Sequence, residues 1–178
     1  MFLLFGVFII SCNKQIEDNN IEKENKIENK VVNMKLTSPA FEHNKEMPSE
    51  YTCDSNDLSP ELNIEDIPKN AKSLVLIMDD PDAPMRTWDH WIVFNIGPNT
   101  KTINKGEEPN GIGGKNSWGR TGYGGPCPPS GTHRYFFKLY ALDSTLSLEE
   151  GTSKNVIENA IEKHIIEKTE LIGVYKRK

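Results

Sequence analysis

Only one stretch of this chain carries the apolar period of a helix. Val156, Ile157, Ala160, Ile161, His164 and Ile165 recur at 3.6-residue spacing, with Ser153 placed to cap them. The other strong apolar runs have the length of strands. Residues 73–78, 91–96, 135–142 and 171–175 are rich in β-branched or aromatic side chains and bounded by turn formers. Leu36 and residues 62–64 suggest two weaker strands. A doubly wound α/β fold needs a helix after most of its strands. One helix late in a strand-rich chain predicts a β-sandwich with a C-terminal amphipathic helix packed on it.

The first eleven residues are of another kind. Met1 to Ser11 carry no charge, and residues 2–10 form a nine-residue apolar run. That is too short to span a bilayer, which takes about 20 residues, and fits the h-region of an export signal. The run ends in Ile9-Ile10-Ser11-Cys12, which resembles the bacterial lipobox. The resemblance implies cleavage before Cys12 and lipidation of its sulfur. Residues 13–33 are nearly confined to Asn, Glu, Lys, Ile and Val, with no aromatic residue, Gly or Pro. Ile16, Ile21 and Ile27 are too sparse to bury a face, so this segment cannot offset its ordering entropy. The chain therefore divides into a signal (1–11), a lipidated Cys12 with a flexible tether (12–33) and a folded domain (34–178). The expected place is the cell envelope, on a bacterial membrane outside the cytoplasm.

Charge narrows the partners. The formal net charge is −5 and no Lys/Arg block is present, which disfavours nucleic acid. A local anion site remains allowed, because net charge describes the surface and not one pocket. Nine of the thirteen glycines, with four prolines, fall between Gly106 and Gly131. An irregular segment this long inside a compact domain is usually functional.

Three motifs place polar residues at strand ends: Asp80-Pro81-Asp82-Ala83-Pro84, Trp88-Asp89-His90-Trp91, and the run from Gly125-Pro126-Cys127-Pro128-Pro129 to Thr132-His133-Arg134-Tyr135. In that order they resemble the phosphatidylethanolamine-binding protein family. Thr52-Cys53-Asp54, Leu58-Ser59-Pro60 and Gly122-Tyr123-Gly124-Gly125 look like its bacterial branch, which is Raf kinase inhibitor-like. The resemblance runs from about Leu36 to Tyr175. It implies a β-sandwich built on a large antiparallel sheet, with a small anion pocket near one end. Carried over by position, the ligand-binding residues are Asp80, His90, His133 and Tyr135, with Trp88 nearby and the backbone from Gly125 to Pro129, Pro126 and Pro128 included, as one wall. The implied partner is a small anionic or phosphorylated ligand, such as a phospholipid head group. The resemblance also implies an inhibitor of another, unidentified protein, since relatives inhibit a kinase or a protease; their partner surfaces lie outside these motifs, so neither target carries over.

The residue chemistry agrees. Imidazole N–H groups and a phenol donate to phosphate oxygens, a carboxylate favours the imidazolium, and glycine amides can add donors. Asp80 could also face an ammonium. Binding should strengthen as the histidines charge. Alternation along a strand should point Asp89 and His90 apart. Trp91 reads as core. His43 and His164 have no comparable company, and His164 reads as a packing residue on the helix stripe.

Competing readings use the same residues. Asp80, His90 and His133 suit a two-His-one-carboxylate metal site, and their spacing neither supports nor excludes it. A hydrolase-like enzyme is the alternative function. Ser130 lies near His133, but the sequence has no Gly-x-Ser-x-Gly elbow. Nothing calls for a cofactor. With Cys12 lipidated, Cys53 and Cys127 remain as two thiols in an exported domain, where a disulfide is allowed. Sequence leaves their pairing open.

Overall fold

The computed structural model describes residues 33–178. The expected export signal, the expected lipidation site Cys12 and all of the expected tether but Asn33 fall outside the described residues. The described residues build two sheets, one α-helix and a short 3-10 helix at Ser49–Tyr51.

In chain order the elements are β1 (Lys35–Thr37), β2 (Lys45–Glu46), β3 (Leu62–Glu65), β4 (Ser73–Asp80), β5 (Trp88–Ile96), β6 (Thr102–Ile103), β7 (Ile112–Gly113), β8 (His133–Leu142), α1 (Lys154–Ile161) and β9 (Ile165–Tyr175). A six-stranded sheet runs β2-β9-β8-β4-β5-β7, and a three-stranded sheet runs β1-β3-β6. All pairings are antiparallel except the short β2–β9 contact. The sandwich and its large sheet are as expected.

β4 lies inside the large sheet and is buried along its whole length, which is why it reads as an unbroken apolar run. Its two faces serve two cores. Leu74, Leu76 and Met78 meet Trp91, Val93, Phe137 and Leu139, with Leu36, Leu62 and Ile64 of the small sheet, in the core between the sheets. Val75 and Ile77 point the other way, with Ile92 and Phe94, onto Ile157 and Ile161 of α1.

The helix is shorter than its period suggested. It ends at Ile161, and Val156 faces solvent. His164 sits in the turn that follows, half-exposed, with Nδ1 2.8 Å from Asp143 Oδ1. It is therefore not a packing residue on an apolar stripe. Ile165 already belongs to β9. That strand runs eleven residues, not five, because it pairs with β8 along its length. The charges at Glu167, Lys168 and Glu170 hide its first half from a hydrophobic reading.

Candidate anion-binding site

Antiparallel pairing sets the C-terminal end of β4 beside the N-terminal ends of β5 and β8. Asp80, Trp88, His90, His133 and Tyr135 therefore meet at one edge of the large sheet. On β8, alternation points His133, Tyr135, Phe137 and Leu139 to the inter-sheet side, where all are buried. Asp80 follows Leu76 and Met78 to the same side.

His90 reaches that side by another route. Met78 pairs with Trp91 but Asp79 pairs with Asp89, so His90 is an extra residue opposite none of β4. This β-bulge lets His90 share a face with Trp91, where strict alternation would send it with Ile92 toward the helix. Asp89 points away from His90, as expected, and faces Lys154 on the helix side.

The cavity at this edge measures about 410 Å³. Asp80, Trp88, His90, Gly125 and His133 line it as expected. Tyr135 is fully buried and contributes no lining surface; it stands against His90, ring centroids 5.2 Å apart and nearly perpendicular. Pro126 and Pro128 are buried and do not line the cavity, whereas Cys127 and Pro129 do. Ala83 and Pro84 complete the β4 side. Cys53 and Cys127, both on the wall, are joined by a disulfide with Cα atoms 5.4 Å apart.

Asp57, Trp118 and Arg120 are among the lining residues that sequence reasoning did not place in the pocket. Trp118 packs edge-on against His90 at 5.1 Å and Trp88 at 5.4 Å. The available signal was a large aromatic residue inside a glycine-rich loop. Gly124 makes that packing possible, since a Cβ there would sit 2.5 Å from the Trp118 ring. Trp91 is core, its indole N–H donating to Glu108 Oε2 at 2.8 Å. His43 accepts the Ile172 N–H at 3.3 Å and takes no part in the cavity lining.

Hydrogen bonds fix both imidazoles. His90 Nδ1 lies 2.6 Å from the Gly124 carbonyl, which only accepts, so Nδ1 carries the proton. His133 Nδ1 lies 2.7 Å from Asp80 Oδ2. The other Asp80 oxygen accepts the Asp82 N–H at 2.8 Å. Asp80 thus accepts from both His133 and its own loop. Neither Nε2 has a hydrogen-bond partner among the described residues.

Burial pushes the His90 pKa below the ordinary histidine value, although the Gly124 carbonyl and the Asp80, Asp79 and Asp89 charges pull the other way. The expected carboxylate effect on His90 is present but outweighed. Burial, then the Asp80 charge, raises the Tyr135 phenol above its usual range. It stays a neutral donor, and no hydrogen bond occupies its oxygen. Beside the cavity, hydrogen bonds from Arg134 hold Asp82 down at about 2.

The glycine wall is poorer in donors than expected. The Gly124 N–H donates to the His90 carbonyl at 3.1 Å, and the Gly125 N–H to Asp57 Oδ1 at 2.7 Å. Pro126, Pro128 and Pro129 have no N–H. Only Cys127 keeps an amide in residues 124–129, and it lies near the Tyr135 hydroxyl. No set of three His, Cys, Asp or Glu side chains among the described residues forms a metal cluster. A larger groove of about 640 Å³, lined by Met47, Asp54, Tyr175 and Lys176 among others, holds no histidine.

The sequence model described as phosphatidylethanolamine-binding protein matches residues 37–176. A "UPF0098 protein" of Methanothermobacter thermautotrophicus is 48% identical over 150 residues, covering 81% of this chain and 99% of that one. A "UPF0098 protein" of Chlamydia trachomatis is 43% identical over 149 residues, with 81% and 99% covered. Among solved structures, a phosphatidylethanolamine-binding protein homolog from Chlamydia trachomatis superimposes with a TM-score of 0.80 at 43% identity, covering 82% and 99%. Escherichia coli YbcL, described as a new member of the mammalian family, gives 0.77 at 27% identity, covering 83% and 100%.

Proposed function

This chain belongs to the phosphatidylethanolamine-binding protein family, and from that membership we propose that it is a binding module for small phosphate-bearing or similar anions. The observation that carries this reading is the pair of imidazoles at one cavity. Each has its Nδ1 committed to a protein acceptor, and each keeps Nε2 for a ligand. Protonation turns each Nε2 into a charged donor, and the buried Tyr135 hydroxyl stands next to His90. The Trp88 and Trp118 rings and Arg120 complete the lining.

Because burial depresses the His90 pKa, an anion must bring a proton with it at neutral pH. Affinity should rise as pH falls from 8 to 6. Calorimetry on the full chain with sulfate tests this, since sulfate stays a dianion across that range; phosphoethanolamine is the second probe. Tighter binding at pH 6, lost in His133→Ala, is the expected result. Binding that survives His90→Ala and His133→Ala together would place the site elsewhere.

The Asp80–His133 pair favours a second reading, acid–base chemistry on a phosphoester, because the carboxylate fixes the imidazole tautomer. Release of p-nitrophenol from its phosphate ester, abolished in His133→Ala, would establish that reading. The Ile9-Ile10-Ser11-Cys12 pattern supports a lipid on Cys12 and a membrane-held domain outside the cytoplasm. Fatty-acid labelling of the wild type, absent in Cys12→Ser, is the result that reading requires.

A further inference from the structure

Lysine is an unusual first residue for a helix, because the exposed amides there carry partial positive charge. α1 nonetheless begins with Lys154, and its first turn holds no acidic residue. The Ser153 side chain makes no capping bond either. The lysine is spent elsewhere. Its Nζ lies 2.7 Å from Asp79 Oδ2 and 3.2 Å from Asp89 Oδ1, with only 12% of its side chain exposed. Burial works against its charge, but the Asp79 carboxylate more than offsets this and keeps its pKa above the usual lysine value.

Asp79 and Asp89 are direct cross-strand partners on β4 and β5. Two like charges in that position destabilise a ladder. Asp79 is wholly buried, so water does little to screen the repulsion. Lys138 of β8 reaches the same Asp79 oxygen at 2.8 Å but makes no ion pair with Asp89. Among the described residues, Lys154 alone forms ion pairs with both carboxylates. Glu158, one turn along α1, lies 3.8 Å from it.

This paired step is one flank of the bulge that turns His90 into the cavity. Asp79 directly precedes Asp80, and Asp89 directly precedes His90. We infer that Lys154 is a positioning residue for the anion site: by bridging Asp79 and Asp89 on the helix side of the sheet, it holds the β-bulge that presents His90 to the cavity on the other side. The site is thus tied through the sheet to α1, whose own surface takes no part in the cavity lining.

The inference rests on the reading of His90 as an anion donor, but its test needs no ligand. Asp80 of β4, Tyr135 of β8, and Trp118 and the Gly124 carbonyl of the glycine-rich segment surround His90, while the Asp79 and Asp89 charges act on it from the helix side of the sheet. Its imidazole is followed by NMR through a pH titration of the full chain, with His90→Gln identifying the signal. In Lys154→Met a nearby positive charge is lost and the bulge loosens, so His90 gains water. Both effects raise its midpoint, by about half a pH unit or more.

Lys154→Arg should keep the wild-type midpoint. Asp89→Asn in the Lys154→Met background removes the repulsion and should bring the midpoint back. A Lys154→Met midpoint equal to wild type, or a Lys154→Arg midpoint equal to that of Lys154→Met, overturns the inference. If Lys154→Met does not fold, a folded double variant supports it, and a double variant that also fails overturns it. Sulfate calorimetry on the same proteins then reports separately on the anion reading.

Discussion

His133 donates its Nδ1 proton to Asp80 across 2.7 Å, with both side chains less than a tenth exposed. The contact joins two adjacent strands at the edge where the cavity opens. It also decides which imidazole nitrogen is left for a ligand. Asp80→Asn keeps an acceptor in place but removes the charge from the hydrogen bond that orients the imidazole. Stability should fall by about 1–3 kcal/mol, the range for a charged hydrogen bond in a buried setting. Sulfate affinity at pH 6 should fall with it. Denaturant unfolding and calorimetry check the two parts.

Ligand-free stability and anion binding should move in opposite directions with pH. The folded-state pKa of His90 is depressed, so its contribution to stability is full above the unfolded histidine value of about 6.5. That contribution is lost as pH falls through the folded value. Sulfate binding gains over the same interval. The ligand-free Tm should drop between pH 7.5 and 5.5 while the sulfate-induced rise in Tm grows. His90→Gln should flatten the part of each trend that His90 supplies.

The acid limb below that interval should report Asp82. Its pKa is held at about 2 by Arg134. The pair stabilises the fold above the ordinary aspartate value and loses that effect as pH falls toward 2. Arg134 is exposed, so solvent screens the pair and the effect is small. Unfolding of Asp82→Asn should differ from wild type at pH 6 and converge with it near pH 2.

Two neighbouring glycines should answer differently to alanine. A Cβ on Gly124 meets the Trp118 ring, which is 45% exposed and can swing outward. Gly124→Ala should cost about 1–2 kcal/mol and shift tryptophan emission to the red. A Cβ on Gly125 meets the Asp57 carboxylate and, at 2.5 Å, the Tyr51 carbonyl oxygen. Backbone cannot step aside so cheaply, so Gly125→Ala should be the more destabilising. Thermal melts of the pair decide.

The disulfide ties two segments of the cavity wall separated by 74 residues in sequence. Loop-closure entropy sets an upper figure of about 4 kcal/mol for that span. Cys53→Ser with Cys127→Ser should cost about 2–4 kcal/mol in denaturant unfolding. Sulfate affinity should fall as well, because Cys53 and Cys127 both line the site.

Much of the sandwich was legible because its strands are apolar on one or both faces. Ser73 to Met78 could hardly be anything but a buried strand. The first half of β9 was not legible, because Glu167, Lys168 and Glu170 follow no apolar pattern and its register is imposed by β8. The helix was overread for the converse reason: His164 and Ile165 extend a helical spacing into a turn and a strand. In the site, His90 and His133 were identified from their motifs. The bulge that turns His90 inward was not, because nothing in Trp88-Asp89-His90-Trp91 marks an unpaired residue. Trp118 and Asp57 were missed because the closure of their loops is a tertiary event. Pro126 and Pro128 were expected in the lining because the family resemblance makes the backbone from Gly125 to Pro129 one wall; the chain turns them into the protein instead.

Many phosphate sites are nests of peptide amides, whose grip is nearly indifferent to pH because amides do not titrate. Here the Gly124 and Gly125 amides are already spent, and the prolines around Cys127 supply none. What remains for an anion is mostly ionisable. Occupancy of such a cavity is therefore set by two concentrations at once, that of the anion and that of the proton. If the site binds as proposed, the cavity should fill as its surroundings acidify and empty as they turn alkaline, with no moving part.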